Sequence, residues 1–175
     1  MEKSNQSDTL EFFNKTQFMF WKKKKKEEIN FEGPVKLKPL KYHPKILLGW
    51  AEAIGGNKDL LDWFMASPDF KELGIFVYAL HLKQDARKWL IDNGYAHLMA
   101  MINAVERNKV ALQWLEKNNM HILKHVALSA DGKEESFKWL KENGYPEFAM
   151  ISKRIEQVKD EIEDNHNDVH KFGLD

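Results

Sequence analysis

The chain contains no cysteine. That excludes disulfides, thiolate zinc sites and a cysteine nucleophile, and it suits a reducing compartment. Nothing approaches eighteen consecutive apolar residues, so no segment reads as a transmembrane helix. The cluster FMFW at 18–21 is too short for the apolar region of a signal peptide and runs straight into lysines. The expected location is the cytoplasm. Net charge is absent too, since 27 Lys and Arg balance 27 Asp and Glu. The balance is uneven along the chain: residues 1–42 hold ten Lys against six Asp and Glu, +4, which leaves −4 for the remainder. A slightly acidic body is not that of a dedicated duplex-DNA binder, whose folded domain is usually basic.

Catalytic signatures are missing as well. No P-loop, GxGxxG or GxSxG pattern occurs, and IGGN at 54–57 reads as a turn between helices rather than a phosphate cradle. His121 and His125 are four apart, as are His166 and His170, a spacing that puts both rings on one helix face. Neither pair sits in an HExxH pattern or has an evident third ligand, so ordinary histidines are the expectation. The carboxylates scatter as on the solvated faces of amphipathic helices. No metal, cofactor or catalytic group is expected, and the chain reads as a non-enzyme.

What is present is a repeat. Trp63, Trp89, Trp114 and Trp139 are separated by 26, 25 and 25 residues. Sixteen positions before each stands Leu47, Leu73, Leu98 and Leu123; thirteen before, the apolar Trp50, Phe76, Met101 and Val126. Ten before stand the small Ala53, Ala79, Ala104 and Ser129. One after come Phe64, Leu90, Leu115 and Leu140, and five after come Pro68, Gly94, Asn119 and Gly144.

The first three columns are spaced by three, one face of a helix, and a second apolar run follows in each unit. Asn57, Asn108 and the ADG at 130–132 lie between, as a helix end and the next N-cap require. Gly or Asn at the fifth position after Trp fits a left-handed C-cap. Each unit is therefore a helical hairpin, and hairpins of this kind stack to bury their second face. The small column marks close helix crossings, where Ala104→Trp would overpack. A buried Trp per unit is expected, with Trp114→Ala costing about 3–5 kcal/mol. At helix spacings of roughly 8–10 Å, four hairpins make a slab some 30–40 Å long. A further helix starts at Pro146 and turns more charged, as a terminal cap should. The fold class is all-α: a solenoid of about four hairpins, right-handed or ankyrin-like, plus a C-terminal capping helix.

KWLIDNGY at 88–95 and KWLKENGY at 138–145 resemble the second helix and following turn of an ankyrin repeat, and the small residues of the first helix are similar too. The resemblance covers roughly residues 46–155. It implies a non-catalytic protein-binding module: an adaptor, scaffold or inhibitor. The unit departs from the family in length, 25 residues against about 33, and it lacks the TPLH turn. That shortfall implies shortened or missing inter-repeat hairpins.

Three regions follow: an arm and linker over 1–45, the repeats over 46–165, and a flexible tail over 166–175. The arm packs five aromatics against the run Lys22, Lys23, Lys24, Lys25 and Lys26 in LEFFNKTQFMFWKKKKKEE. Trp21 and these lysines form a candidate anion-binding patch for RNA or an acidic membrane surface. The competing reading is that Phe18, Phe20 and Trp21 cover the exposed end of the repeats. GPVKLKPLKYHP, with three prolines, reads as an extended linker. On the repeats, the column eleven before each Trp (Glu52, Tyr78, Asn103 and Leu128) varies where the core columns do not. It is the candidate partner-binding face, with Tyr78 as its anchor.

Overall fold

A computed structural model describes the backbone of residues 37–171 and the side chains of residues 37–164, all within the compact unit Val35–Asp175. The described chain is helical: α1 Pro44–Ile54, α2 Lys58–Ala66, α3 Lys71–Leu80, α4 Gln84–Asp92, α5 Ala96–Val105, α6 Lys109–Lys117, α7 His121–Ala130, α8 Glu134–Glu142 and α9 Pro146–Lys171. Four hairpins, α1–α2 to α7–α8, precede one long helix, as the period predicts. The last helix runs from Pro146 to Lys171.

Local chemistry sets the boundaries. The Asn57 side chain accepts from the Leu60 N–H at 3.1 Å, and Asn108 accepts from Val110 and Ala111 at 3.0 and 3.3 Å, so both are N-caps. Gly94, Asn119 and Gly144 end the outer helices at φ 86°, 57° and 84°, as the turn column requires. Beside them the Asn93, Asn118 and Asn143 side chains donate to the carbonyls of Trp89, Trp114 and Trp139 at 2.8–2.9 Å. That bond explains the Asn standing before each of these residues. The turns inside the hairpins also pass through positive φ, at Gly56, Leu82, Arg107 and Gly132. Leu82 and Arg107 adopt it at φ 65° and 64°, where a Cβ is strained.

The buried member of the second helix is the residue after Trp. Phe64, Leu90, Leu115 and Leu140 are at most 1% exposed, whereas Trp63 is 47% exposed and the other three Trp are half-buried. Adjacent helix positions differ by about 100°, so only one can face inward. The expectation of a Trp buried in every unit is therefore corrected: the core position is Leu115, and Trp114 lies on its flank. Three of these Trp cover the inter-unit turns instead. Trp63 stacks on Phe70 at 5.8 Å, Trp89 on Tyr95 at 6.0 Å and Trp139 on Tyr145 at 6.0 Å.

The first helices of the hairpins form the inner layer. Ala53, Ala79 and Ala104 are buried where neighbouring inner helices meet. Ser129 is the polar member of that column because Ser152 of α9 lies opposite it, Oγ to Oγ 2.8 Å. Ser152 donates in turn to the Ala149 carbonyl at 2.7 Å, so the Ser129 hydroxyl donates to Ser152. No buried polar atom is left over at that crossing.

The inner layer does not extend as an open slab. Its helices α1, α3, α5 and α7 pack in order, and α9 then packs against both α7 and α1. The array closes into a ring, with Trp50, Phe76, Met101, Val126 and Ile151 at most 1% exposed. Trp50 spans two helices of the ring by donating its indole N–H to the Leu73 carbonyl at 3.1 Å. Closure places Arg154 of α9 against α1, 2.8 Å from Glu52. The capping helix thus packs on the last inner helix and on the first, as a fifth stave of the ring.

Candidate functional site

The two ends of the ring differ in chemistry. At the C-terminal ends of the inner helices, ion pairs link one unit to the next. Arg87 holds Glu106 and donates from Nε to the Ala79 carbonyl at 3.0 Å. Arg107 lies 2.8 Å from Asp131, and Lys159 of α9 reaches the same carboxylate at 3.1 Å. Burial alone would raise the Asp131 pKa, but the hydrogen bonds from Arg107 and Lys159 outweigh it and hold the group below its usual range. Through Lys159, α9 thus reaches this end of the ring.

At the N-terminal ends, residues 37–43 form an extended strap. The Tyr42 hydroxyl donates to the buried Glu72 carboxylate at 2.6 Å, and its ring meets Phe70 edge-on at 6.2 Å. Burial first, then the Glu72 carboxylate, pushes the Tyr42 pKa up, which keeps the donor proton in place. The Lys38 amide donates to the Gly94 carbonyl at 3.0 Å, and its ammonium sits 5.0 Å from the Tyr95 ring centre. The described part of the linker, residues 37–43, is therefore bound along the helix starts.

Beside the strap opens a cleft of about 610 Å³. Leu37 and Leu40 of the strap form one wall; Ile122, Trp139, Tyr145 and Phe148 line much of the rest. The cleft also reaches His97, which is 3% exposed and whose two ring nitrogens have no hydrogen-bond partner. Burial pushes the His97 pKa down to about 4, so at neutral pH the ring is uncharged, with one N–H and one free acceptor. Lys38 and His121 are the other basic groups of the lining, which holds no Asp or Glu.

Of the residues singled out from sequence, Glu52 is engaged by Arg154, Tyr78 is 38% exposed on α3, and Asn103 and Leu128 are half-buried on α5 and α7. Trp21 and Lys22 to Lys26 lie outside the described residues. His121 stands 3.9 Å from Glu116, while His125 stacks on Trp139 at 4.0 Å with its Nδ1 3.2 Å from the Ser136 hydroxyl. Among the described residues no three His, Asp or Glu side chains gather as a metal site would need. Also among them, no helix is long and apolar enough to cross a membrane.

His97, Glu72, Tyr42 and Lys38 were missed. Glu72 and His97 occupy one column, immediately before the repeated Leu, where the other units have Ile46 and Ile122. A Glu and a His at positions where other units place Ile were the available signal. In comparisons with family models, curated proteins and solved structures, none matches this chain.

Proposed function

We propose that the chain is a non-catalytic protein-interaction module, an adaptor, scaffold or inhibitor built from ankyrin-like helical repeats and acting in the cytoplasm. The observation that carries this reading is the placement of Tyr78. It is a large exposed aromatic on the inner helix α3, and Asn103 and Leu128 hold the same register on α5 and α7. The C-terminal ends of α5 and α7 are joined by the Arg107–Asp131 pair, so the two helices run in the same sense and the column is a row across the ring. The Glu52–Arg154 pair borders it. Tyr in such a setting supplies contact area at little entropic cost.

A second reading rests on Trp21 and the five lysines that follow, as a contact for RNA or an acidic membrane surface. One experiment separates the two. Full-length protein, a Tyr78→Ala variant and a variant with Lys22 to Lys26 all changed to Gln are used as baits in native lysate, with and without nuclease. A protein partner that is lost with Tyr78→Ala, kept by the lysine variant and insensitive to nuclease fits the interaction module. Partners lost with the lysines or with nuclease reject it in favour of the arm.

A further inference from the structure

We infer that the outer groove between α9 and α1 is a docking site for one amphipathic helix supplied by a partner protein. Among the described residues, the inner helices α1, α3, α5, α7 and α9 carry only the outer helices α2, α4, α6 and α8. Each outer helix packs on two successive inner helices and so fills the groove between them. Closure of the ring adds one more groove, between α9 and α1, and none of these outer helices packs on both of its sides. Two columns of the repeat show what such a groove holds. The residue fifteen before each Trp turns to the preceding outer helix: a Cβ on Gly74 would come within 2.8 Å of the Met65 sulfur of α2. The residue fourteen before turns to the following one: a Cβ on Gly49 would touch the Phe64 ring at 3.7 Å, and His125 stacks on Trp139 of α8.

Where an outer helix is present, these columns are covered: Met99 and Ala149 in the first, and Ile75 and Ala100 in the second, are at most 9% exposed. Leu48 belongs to the first column but has no preceding outer helix, and it is 38% exposed. Met150 holds the register of the second on α9, has no following outer helix, and is 45% exposed. One helical turn beyond each, Glu52 and Arg154 meet at 2.8 Å, so the faces bearing Leu48 and Met150 flank one groove. The filled grooves define the occupant. Each takes a helix that buries Phe64, Leu90, Leu115 or Leu140, and three of these helices bury a small residue four positions earlier, Ala86, Ala111 or Ser136. A second copy has no such helix to lend among its described residues, because all four are seated in its own ring. The occupant is therefore a partner's helix with a small residue four positions before a leucine or phenylalanine, laid apolar face inward against Leu48 and Met150. This inference rests on closure of the ring and does not depend on Tyr78.

The probe is a synthetic peptide with the sequence of residues 107–120, which spans α6, held helical by a hydrocarbon staple on its solvent face. Titrated into full-length protein, it should bind one to one by calorimetry and shift the amide signals of α1 and α9 by NMR. The same peptide carrying Leu115→Lys should bind about ten-fold or more weaker, the scale of losing one apolar anchor. Leu48→Lys and Met150→Lys in the protein alter exposed positions, and each should weaken the unmodified peptide by a similar factor. Ile91→Lys, equally exposed but on α4, should leave binding unchanged. No saturable binding, or an affinity unmoved by both Leu48→Lys and Met150→Lys, overturns the proposal. So does a dimer in sedimentation equilibrium that Leu48→Lys dissociates, which would place a second copy in the groove. A spin label at Met150→Cys that broadens the signals of residues 1–36 in dilute protein overturns it too, by assigning the groove to the chain's own arm.

Discussion

The ring of inner helices is closed in two ways at its two ends. At the C-terminal end, charges on successive units meet in pairs, and Asp131 serves Arg107 and Lys159 together. At the N-terminal end, the strap covers part of the opening and leaves a cleft with an unpaired imidazole at 3% exposure. The first arrangement satisfies its polar groups within the chain; the second keeps a buried imidazole without a hydrogen-bond partner. Ion pairing and an unpartnered buried ring thus stand at opposite ends of the same helices. Burying an imidazole without partners costs about 1–3 kcal/mol, a deficit with no counterpart in the ion-pair belt.

The largest test of this contrast is its pH dependence. His97 has its pKa lowered from 6.5 to about 4, so the neutral ring is what folding favours. Its contribution is complete above about pH 6.5 and is lost as pH falls toward 4, because the unfolded chain takes up a proton there that the folded chain refuses. The loss expected is about 3 kcal/mol. Urea unfolding across that range should show it in the unmodified protein, and His97→Phe should remove that share of the slope. His81 and His125, also lowered chiefly by burial, leave a smaller residual slope in the variant.

Next in size, Tyr42→Phe removes one donor from the buried Glu72 carboxylate, which Tyr95 also bonds, and should cost about 1–2 kcal/mol by chemical denaturation. It should also speed hydrogen exchange at the Lys38 amide, which a purely local loss would not. Asp131→Ala breaks two pairs in the belt, yet these are partly solvated, so about 1 kcal/mol is expected, and less at high salt. Smallest is Leu82→Gly, which relieves a side chain at φ 65° and should raise stability by under about 1 kcal/mol, since glycine also loosens the unfolded chain.

Much of the helical frame was legible because a repeat writes each rule several times. Asn57 and Asn108 as N-caps, Gly94, Asn119 and Gly144 as left-handed turns, and the small Ala column at helix crossings all follow from local chemistry. The Trp column misled for a geometric reason: Trp114 and Leu115 recur with equal regularity, and periodicity alone does not say which of two adjacent positions points inward. Leu115→Ala should accordingly cost about 3 kcal/mol and Trp114→Ala clearly less, reversing the expectation drawn from size alone.

Closure of the ring was not legible either. It depends on the accumulated rotation from unit to unit, to which no single residue testifies. Arg154 falls in the small-residue column of α9, and it faces α1 instead of a sixth unit. The cleft was hidden for a related reason: its walls come from the strap, α5, α7, α8 and the start of α9, which meet only when the inner helices are packed. His97 alone, seen as a lone histidine on an apolar helix, gives no hint of that meeting.

Closure is also the claim to test first, and a chain with no native cysteine is suited to the test. Leu48 on α1 and Met150 on α9 are both solvent-exposed, so spin labels at Leu48→Cys and Met150→Cys leave the core intact. Neighbouring helices of a closed ring place the labels within about 25 Å, allowing for their linkers, and pulsed dipolar spectroscopy should return a single narrow distribution there. An open array puts four helix spacings between α1 and α9, roughly 35 Å or more, and a distribution centred there would contradict the ring.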